Sequence, residues 1–507
     1  MRSVLVRYGL PVAVSISALL TACGGGGSSG GAIAPLPPVP EKTSTELAQI
    51  CAADNHLVKD PAVVTKIGSL ADERNWVRAY LQERYLWYPD IQVLNPLADR
   101  YNVLNDQGQL NVVSSLANYF LDQLTAKNTA SGSRVDKFSF MAYTDAWNKF
   151  SAGEEFGYGW LLQNEGSGAS RKIRVLHVFP TTTPGLAGAA GVQRGDEVIS
   201  IDGVQATVET DASVFNALLS PSVAGEHRVL LSRNGVPVTV QLAASTAVLP
   251  QASHKILAVD GVRWGYLLFN GHVASAQTPL LSALRDFKTQ GIDELVVDLR
   301  YNGGGYLNMA SALAYGVAGQ ARTQDKVFEM LRYNDKRSQL NERMPFVSTD
   351  MEGRPIDALG LSKIYVLTTD ATCSASESFI NGLRGVDVDV VQIGGTSCGK
   401  PYGFVPQDNC GLTYAAMEFD GVNDKGQGGY VDGLVPQCAA HDDLAHALGD
   451  PAEAMFAVAI ARQQGRSCTP ASSVRALGSQ TLPGLPKHSP QLMRSPWQSS
   501  KVIRAGR

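Results

Sequence analysis

Apolar residues recur at helical spacing in two early stretches of the chain. The first stretch covers residues 72–88 and stops at Pro89, and the second covers 112–124. Because apolar residues three and four positions apart share one face of a helix, both stretches predict amphipathic helices. We therefore expect residues 42–152 to form a helical N-terminal segment, with its Trp and Tyr side chains in the core.

The pattern changes to short, strand-like runs from about residue 155. The segment FGYGWLL begins at Phe156, and the segment GDEVISIDG over 195–203 combines alternating apolar residues with turn residues. Glycine-bounded runs of this kind predict strands joined by tight hairpins. Residues 153–247 are therefore expected to form a β-rich domain.

Strand-like runs alternate with helical stretches from residue 250 to 465. The first elements are a strand over 264–269, a helix over 278–289 and a strand over 295–299. Such alternation predicts a layered α/β domain. The chain as a whole is expected to be a multidomain α/β protein.

Candidate chemistry concentrates between residues 368 and 407. The pattern predicts a strand over 363–368, a helix beginning at Ser374, a strand over 388–393 and a glycine-rich turn that delivers Lys400. A serine at a helix N-terminus lies beside unpaired N–H groups, which suits a nucleophile whose product is an oxyanion. A nearby lysine can serve as the base if burial lowers its pKa enough to leave the amine neutral.

Two other interpretations use the same residues. Ser374 and Glu377 match the S-x-x-E capping box, which starts a helix without any catalysis. The run from Gly394 to Lys400 matches the first part of a phosphate-binding loop, but the next residue should be Ser or Thr and is Pro401. The proline-containing segment that follows cannot open the helix that would hold a phosphate, so we exclude phosphate binding.

A third motif, DLRYNGGG, follows the predicted strand over 295–299. Its three glycines let the backbone turn sharply and direct N–H groups outward. DLRYNGGG, CSASESF and GGTSCGK occur here in the order found in the carboxy-terminal processing (tail-specific) protease family, which the chain resembles over about 155–436. That family consists of serine peptidases with a Ser/Lys dyad, so the resemblance implies a peptidase core over 250–465.

The resemblance implies a role for each matching residue. Ser374 is expected to be the nucleophile, Lys400 the general base and Glu377 the supporting carboxylate. The backbone N–H groups of Ala375 and Gly304 are expected to form the oxyanion hole. No metal or cofactor is implied.

The β-rich region over 153–247 resembles the PDZ domain of such proteases. PDZ modules bind an extended peptide along a sheet edge and receive its terminal carboxylate on backbone N–H groups. The expected peptide-binding loop comprises Gly157, Tyr158, Gly159 and Trp160. A glycine-rich hairpin without a ligand is the alternative for this segment alone.

Other residues and patterns give weaker support for a catalytic or binding role. His272 is offset from the position at which a histidine-using branch of related peptidases carries its base. Gln407 lies further from Lys400 than the glutamine of the family does, which leaves its role open. No C-x-x-C pair supports a metal site. With 18% charged residues and a net charge of −4, the composition gives no reason to expect nucleic acid as a partner.

The N-terminus predicts export. Two arginines precede an apolar run over 10–20, which is too short for a membrane span. The following LTAC resembles a bacterial lipoprotein cleavage box and predicts a signal peptide over 1–22, a lipid on Cys23 and a flexible tether over 23–41. An ordinary secretory peptide cut nearby is the alternative.

The remaining cysteines and the tail complete the prediction. Six of the seven cysteines remain after Cys23, an even number that fits disulfides in an exported chain. One hypothesis is a Cys398–Cys410 bridge that would hold the turn carrying Lys400. The tail over 469–507 is basic and rich in Pro, Ser and Gln, which predicts disorder.

Together these features predict a secreted serine endopeptidase of the bacterial cell envelope, facing the periplasm and lipid-anchored through Cys23. Its expected substrates are unfolded or exported proteins, recognised by their C-terminal tails through the PDZ-like domain. The alternative hypothesis is a non-catalytic PDZ scaffold or ligand-binding protein of the envelope.

Overall fold

The fold is taken from a computed structural model that describes residues 42–207, 212–221, 223–468 and 491–493. The predicted signal peptide, Cys23 and the tether lie outside the described residues, as does most of the tail. Among the described residues, every helix is too short or too polar to cross a membrane.

The N-terminal segment combines helices with short strands. Helices α2 and α3 coincide with the two predicted stretches, although α2 ends before Pro89, which lies in a following 3₁₀ turn. The elements in chain order are α1 (Ser44–Leu47), β1 (Ile50–Ala52), β2 (Lys66–Gly68), α2 (Leu70–Arg84), α3 (Val112–Asp122), β3 (Phe140–Tyr143) and α4 (Thr144–Ala152).

A β-rich region follows, with one antiparallel sheet in the order β10-β9-β7-β6-β5. Alternate residues of these strands, such as Val175 and Leu231, form a separate hydrophobic core. The elements are β4 (Glu154–Gly157), β5 (Trp160–Glu165), β6 (Lys172–Val178), β7 (Glu197–Ile201), β8 (Val204–Gln205), α5 (Ala212–Leu219), β9 (Glu226–Arg233), β10 (Val236–Ala243) and β11 (Ser245–Val248).

The third region alternates strands and helices as predicted. Strand β17 covers the predicted range, and α9 begins directly after Ser374. The elements are β12 (Ala252–Val259), β13 (Val262–Phe269), α6 (Gln277–Gln290), β14 (Glu294–Asp298), α7 (Leu307–Ala318), α8 (Gln320–Thr323), β15 (Val327–Tyr333), β16 (Glu342–Pro345), β17 (Lys363–Thr368), α9 (Ala375–Gly385), β18 (Asp389–Gly394), β19 (Tyr402–Gly403), β20 (Gln407–Asn409), β21 (Leu412–Ala415), β22 (Phe419–Val422), β23 (Cys438–Ala439) and α10 (Ala454–Gln463). A last strand, β24 (Gln491–Met493), follows in the tail and joins the sheet of the β-rich region.

The central sheet of this region has the order β12-β13-β14-β17-β18-β23, and all neighbours from β13 onwards are parallel. Its strands β13, β14 and β17 are buried on both faces. Val297 and Val366 pack with α6, α7 and α9 on one face, whereas Val296 and Tyr365 pack with α10 on the other. Since β14 and β17 are parallel neighbours, the loops after them meet at one edge, where sheets of this kind carry their sites.

The N-terminal segment belongs to the same compact body as the third region. Strand β3 pairs antiparallel with β21, and Cys51 forms a disulfide with Cys410. Tyr80 and Phe120 share a buried cluster with Tyr414. Residues 42–152 therefore pack directly against the third region.

The structure corrects the expected disulfide at Cys398. Cys398 is bonded to Cys373, not to Cys410, and a third disulfide joins Cys438 to Cys468. Within the predicted tail, residues 491–493 are described, and they form β24, which pairs antiparallel with β5.

Candidate active site

Ser374 lies in the sharp turn between β17 and α9. Its backbone has φ 57° and ψ −119°, a strained conformation for a residue with a side chain. Its N–H donates to Glu377 Oε2 at 2.9 Å, which supplies the carboxylate half of the predicted capping box. The next N–H, that of Ala375, belongs to the first turn of α9, where no residue of the same helix can accept it. Ser374 can therefore start α9 and still be a candidate nucleophile.

The glycine turn after β14 lies directly against Ser374. A Cβ on Gly304 would come within 2.8 Å of the Ser374 Cβ and 3.0 Å of the Ala375 nitrogen, so only glycine fits there. Gly304 also has a backbone φ of 99°, a conformation that glycine adopts far more readily than other residues. The Gly304 N–H, however, donates to the Asn302 side-chain oxygen at 2.9 Å. The structure brings Gly304 to the predicted place but with its N–H already bonded.

Lys400 lies beneath two aromatic rings. Its Nζ is 4.9 Å from the ring centroid of Phe404 and 5.5 Å from that of Phe138, and the residue is only 7% exposed. Burial lowers the pKa of Lys400 to about 8, although the charges of Asp136 and Glu377 oppose this shift. A substantial fraction of this amine is therefore neutral near pH 8, as a general base requires.

Glu377 connects Ser374 to Lys400 through their backbone N–H groups. It is fully buried, and its Oε2 accepts from the N–H of Lys400 at 2.8 Å as well as from that of Ser374. Its Oε1 accepts from the Gly399 N–H at 2.8 Å and from the Ser397 hydroxyl at 2.5 Å. Burial raises the pKa of Glu377, and these hydrogen bonds oppose the rise. Within the described chain, its hydrogen bonds to Lys400 involve the backbone of the lysine.

Ser374, Lys400 and Gly304 line one cavity of about 350 Å³. Much of the remaining wall is aromatic, and it comes from all three regions of the chain: Phe140, Trp147, Phe150, Phe179, Tyr402, Phe404 and Phe419. A cavity that combines a serine, a buried lysine of lowered pKa and apolar walls is suited to acyl transfer on a peptide.

The part of the chain that carries this cavity is similar to known peptidases. Residues 263–406, which include Gly304, Ser374 and Lys400, match peptidase family S41. The chain contains a peptidase family S41 domain. A carboxyl-terminal-processing protease of Picosynechococcus sp. is 26% identical over 237 residues, which are 46% of this chain and 52% of that protein. The matched part is therefore about half the length of this curated relative.

The fold of the S41 domain and its surroundings also occurs in a solved structure. A crystal structure from Bacteroides fragilis, assigned to the S41 proteases, superposes with a TM-score of 0.59 and 23% identity. The match covers 80% of this chain and 99% of that chain. At this level of identity the likeness shows a shared fold.

His272 also lines the cavity of the S41 domain and supports the glycine turn. Its backbone N–H donates to the Gly304 carbonyl at 3.0 Å, and its Nδ1 lies 3.0 Å from the Asn302 side-chain oxygen. Because the Asn302 amide nitrogen donates to the Phe269 carbonyl, its oxygen faces His272 as an acceptor. Burial lowers the pKa of His272 to about 4, so the imidazole is neutral at neutral pH.

The four residues of the predicted peptide-binding loop do not line the cavity, although Glu155 and Leu161 on either side of them do. The side chains of Tyr158 and Trp160 are buried in the core of the β-rich region, so they cannot contact a peptide along its edge. The carbonyls of Tyr158 and Gly159 accept hydrogen bonds from the backbone of Ala187 and Phe179. Any peptide contact of this loop, including Gly157, would therefore use backbone groups.

The structure accounts for two other candidates. Gln407 lies in β20, donates to the Pro406 carbonyl and does not line the cavity of the S41 domain. Among the described residues, one group has metal-ligand atoms close together, namely Cys373, Glu377 and Cys398. Its two sulfur atoms are bonded to each other, so they lack the thiolate that a metal would require.

Several residues of the cavity could not be predicted from the sequence. Trp147 and Phe150 come from α4, more than 200 residues before Ser374, and no local pattern links them to the site. Glu329 in β15 also lines the cavity. Its buried Oε2 has no partner among the described residues, and burial raises its pKa to about 7.

Proposed function

We propose that this protein is a serine endopeptidase that acts through a Ser374/Lys400 dyad. The observation that carries the proposal is that both residues face one cavity, with the lysine buried and its pKa lowered to about 8. The neutral Lys400 amine takes the proton of Ser374, whose Oγ forms a bond to the scissile carbonyl carbon. The carbonyl electrons move to oxygen, and the Lys400 ammonium then protonates the leaving amine. Water hydrolyses the acyl-enzyme.

The developing oxyanion is held by backbone N–H groups in this proposal. Ala375 supplies one donor from the start of α9, and Gly304 supplies the second after its N–H leaves the Asn302 oxygen. Each such donor stabilises the transition state by roughly 3–4 kcal/mol. The close approach of Gly304 to Ser374 and Ala375 supports this assignment.

We further propose that the β-rich region binds the C-terminal tails of unfolded or exported proteins in the manner of a PDZ domain. Strand β5 has one side of its backbone facing β6, and residues 491–493 add to its other side as an antiparallel strand. This pairing supports the proposal because it shows that the β5 edge accepts an extended segment. Gly157 and Gly159 precede β5, where a terminal carboxylate would lie in this mode.

The proposed location is the periplasmic side of a bacterial membrane, with a lipid on Cys23 as the anchor. The LTAC sequence supports the anchor. The three disulfides among the described residues support an oxidising compartment, because cytosolic proteins rarely retain disulfides.

The test is cleavage of an unfolded reporter protein with a free apolar C-terminus by the chain from Glu41 onwards. Ser374→Ala and Lys400→Met should each abolish cleavage while leaving the thermal melt unchanged within a few degrees. Each variant alone should lower kcat by about 10⁴-fold or more, and the double variant should lose no more, because the two residues act as a unit. Cleavage that survives in both single variants would contradict the dyad.

The same reporter and variants distinguish the peptidase from a second candidate function, a non-catalytic scaffold. A non-catalytic scaffold would bind the reporter tail with equal affinity in wild type and Ser374→Ala, and neither would cleave it. Removal of residues 469–507 should increase reporter binding if the β5 edge is the tail site, since β24 occupies that edge. Unchanged affinity after this truncation would mean that the β24 pairing does not support tail binding at the β5 edge.

A further inference from the structure

A disulfide joins the two segments that carry the proposed dyad. Cys373 immediately precedes Ser374, and Cys398 lies two residues before Lys400. The bridge connects the turn after β17 to the turn after β18, with 5.2 Å between the two Cα atoms. The nucleophile and the base therefore each lie within two residues of one covalent link.

The bridge also contacts the surroundings of the lysine ammonium. Cys373 packs in a small buried cluster with Phe138 and Met417, and Cys398 and Phe404 pack against that cluster. The rings of Phe138 and Phe404 are the two that lie closest over the Lys400 Nζ. Loss of the bridge would loosen the wall that keeps water from this amine.

Glu377 gives the bridge a second connection to the dyad. The Cys398 sulfur lies 3.4 Å from Glu377 Oε2, the oxygen that accepts from the N–H groups of Ser374 and Lys400. A disulfide sulfur carries no proton and cannot donate to that oxygen. A Cys398 thiol could donate to it and would compete with both backbone N–H groups.

We propose that the Cys373–Cys398 disulfide is a positioning element of the dyad, so that full activity requires the oxidised bridge. This inference rests on the proposed peptidase function. A dithiol reductant would convert the bridge into two thiols by donating two electrons and two protons, and would itself become a disulfide. The reduced protein loses the covalent link and gains a competing hydrogen-bond donor at Glu377.

The bridge is open to such a reductant. Cys398 is partly exposed, whereas Cys51 and Cys410 are both buried, with Cys410 at 0% exposure. Thiol–disulfide exchange needs access for the attacking thiolate. Mild reduction should therefore open the Cys373–Cys398 bridge before the Cys51–Cys410 bridge.

The chain offers a matched control in its third disulfide. Cys438–Cys468 closes a segment with a sequence separation of 30, close to the 25 of Cys373–Cys398, and Cys468 is also partly exposed. Because the chain-entropy effect of a disulfide depends on loop length, removal of either bridge should lower stability to a similar degree. Only the bridge beside Ser374 should alter catalysis.

The experiment compares full-length wild type, Cys373→Ala/Cys398→Ala and Cys438→Ala/Cys468→Ala on the unfolded reporter across pH. The first double variant should lose on the order of 100-fold in kcat with little change in KM, as expected for misplacement of reacting groups by about 1 Å. The pH midpoint of its activity should also lie above that of wild type, because a hydrated lysine has an ordinary pKa of about 10.4. The control variant should keep both the kcat and the pH midpoint of wild type.

Reduction of the wild type covers the case in which the first double variant fails to fold. Dithiothreitol should lower kcat reversibly, in parallel with the appearance of free Cys373 and Cys398 in mass spectrometry. Full activity of protein in which these two thiols are free would overturn the proposal. Equal catalytic losses in the control variant would also overturn it, since they would show a general effect of stability.

A titration separates this inference from the peptidase proposal. In a Ser374→Ala background, the pKa of Lys400 can be followed by ¹³C-lysine NMR and assigned with Lys400→Met. Removal of the Cys373–Cys398 bridge should raise that pKa from about 8, whether or not the protein cleaves any substrate. An unchanged pKa would overturn the positioning role, whereas a raised pKa without cleavage by wild type would refute only the peptidase function.

Discussion

On the lysine side of the cavity, the Glu377 carboxylate accepts from the backbone N–H groups of Ser374, Gly399 and Lys400, and a disulfide ties the same segments together. On the glycine side, the Gly304 N–H donates to Asn302 and is not directed at an empty oxyanion position. Both sides lie at the same edge of the central sheet. They differ in how much of the proposed catalytic geometry exists before substrate binds.

The difference indicates which part of the proposed reaction depends on the substrate. The backbone N–H groups of Ser374 and Lys400, the proposed nucleophile and base, are held by buried hydrogen bonds to Glu377 that a substrate does not supply. Gly304, the proposed second oxyanion donor, would have to exchange the Asn302 oxygen for the substrate oxygen, and hydrogen bonds of this kind often tighten only in the complex. We therefore expect changes on the glycine side to affect turnover, and changes at Glu377 to affect both turnover and folding.

The largest expected effect among changes that spare Ser374 and Lys400 is that of Gly304→Ala. The added Cβ would lie 2.8 Å from both the Cys373 carbonyl and the Ser374 Cβ, at a backbone φ of 99°. We expect kcat to fall by about 10²–10³-fold, the range for loss of one oxyanion donor. Gly426→Ala is the matched control, because Gly426 has φ 72° and no atom lies within 4 Å of the position that its added methyl group would take. A normal kcat in Gly304→Ala would exclude the glycine turn from the site.

Glu377→Ala tests the lysine side of the comparison. It would leave the N–H groups of Gly399 and Lys400 buried without an acceptor, at a cost of about 1–3 kcal/mol for each such group. We expect a lower melting temperature together with a kcat reduced by about 10–100-fold. Glu377→Gln should recover part of both losses, because its amide oxygen still accepts while its NH₂ group cannot. A Glu377→Ala variant with normal kcat and stability would contradict the alignment by Glu377.

The smallest expected effect on turnover is that of Glu329→Gln, which lies in the cavity but on neither side of the comparison. We expect kcat within about threefold of wild type, because the hydrogen bond from Ser378 can persist. A loss of kcat greater than threefold would show that residues outside the lysine and glycine sides of the cavity also contribute to turnover.

The same variant should change the pH dependence of stability. Burial raises the pKa of Glu329 to about 7, so the folded protein holds this proton at a pH where the unfolded chain, with a pKa of about 4.3, has lost it. Wild type therefore loses stability from this group as pH rises from about 4.3 to 7. Urea unfolding should show Glu329→Gln gaining about 2–4 kcal/mol on wild type between pH 4 and pH 8. Glu226→Gln, on an exposed strand position, should show no such gain.

The parts of the fold and site that are encoded locally could be predicted from the sequence. The apolar run at β17 and the serine before α9 identify their elements because each signal lies within a few residues. Whether Cys398 pairs with Cys373 or Cys410 depends on tertiary contacts, and the sequence could not decide it. The bond from Gly304 to Asn302 likewise depends on side-chain geometry within the turn, and the aromatic wall from α4 depends on how distant segments pack.

The most direct test of the central claim is the rate at which a fluorophosphonate labels Ser374 as a function of pH, because it needs no knowledge of the substrate. Labelling should occur at Ser374 by mass spectrometry, and its rate should rise with pH through a midpoint near 8 as the Lys400 amine loses its proton. Lys400→Met should label far more slowly and without that midpoint. Equal labelling of wild type and Lys400→Met, or no labelling of Ser374, would contradict the account.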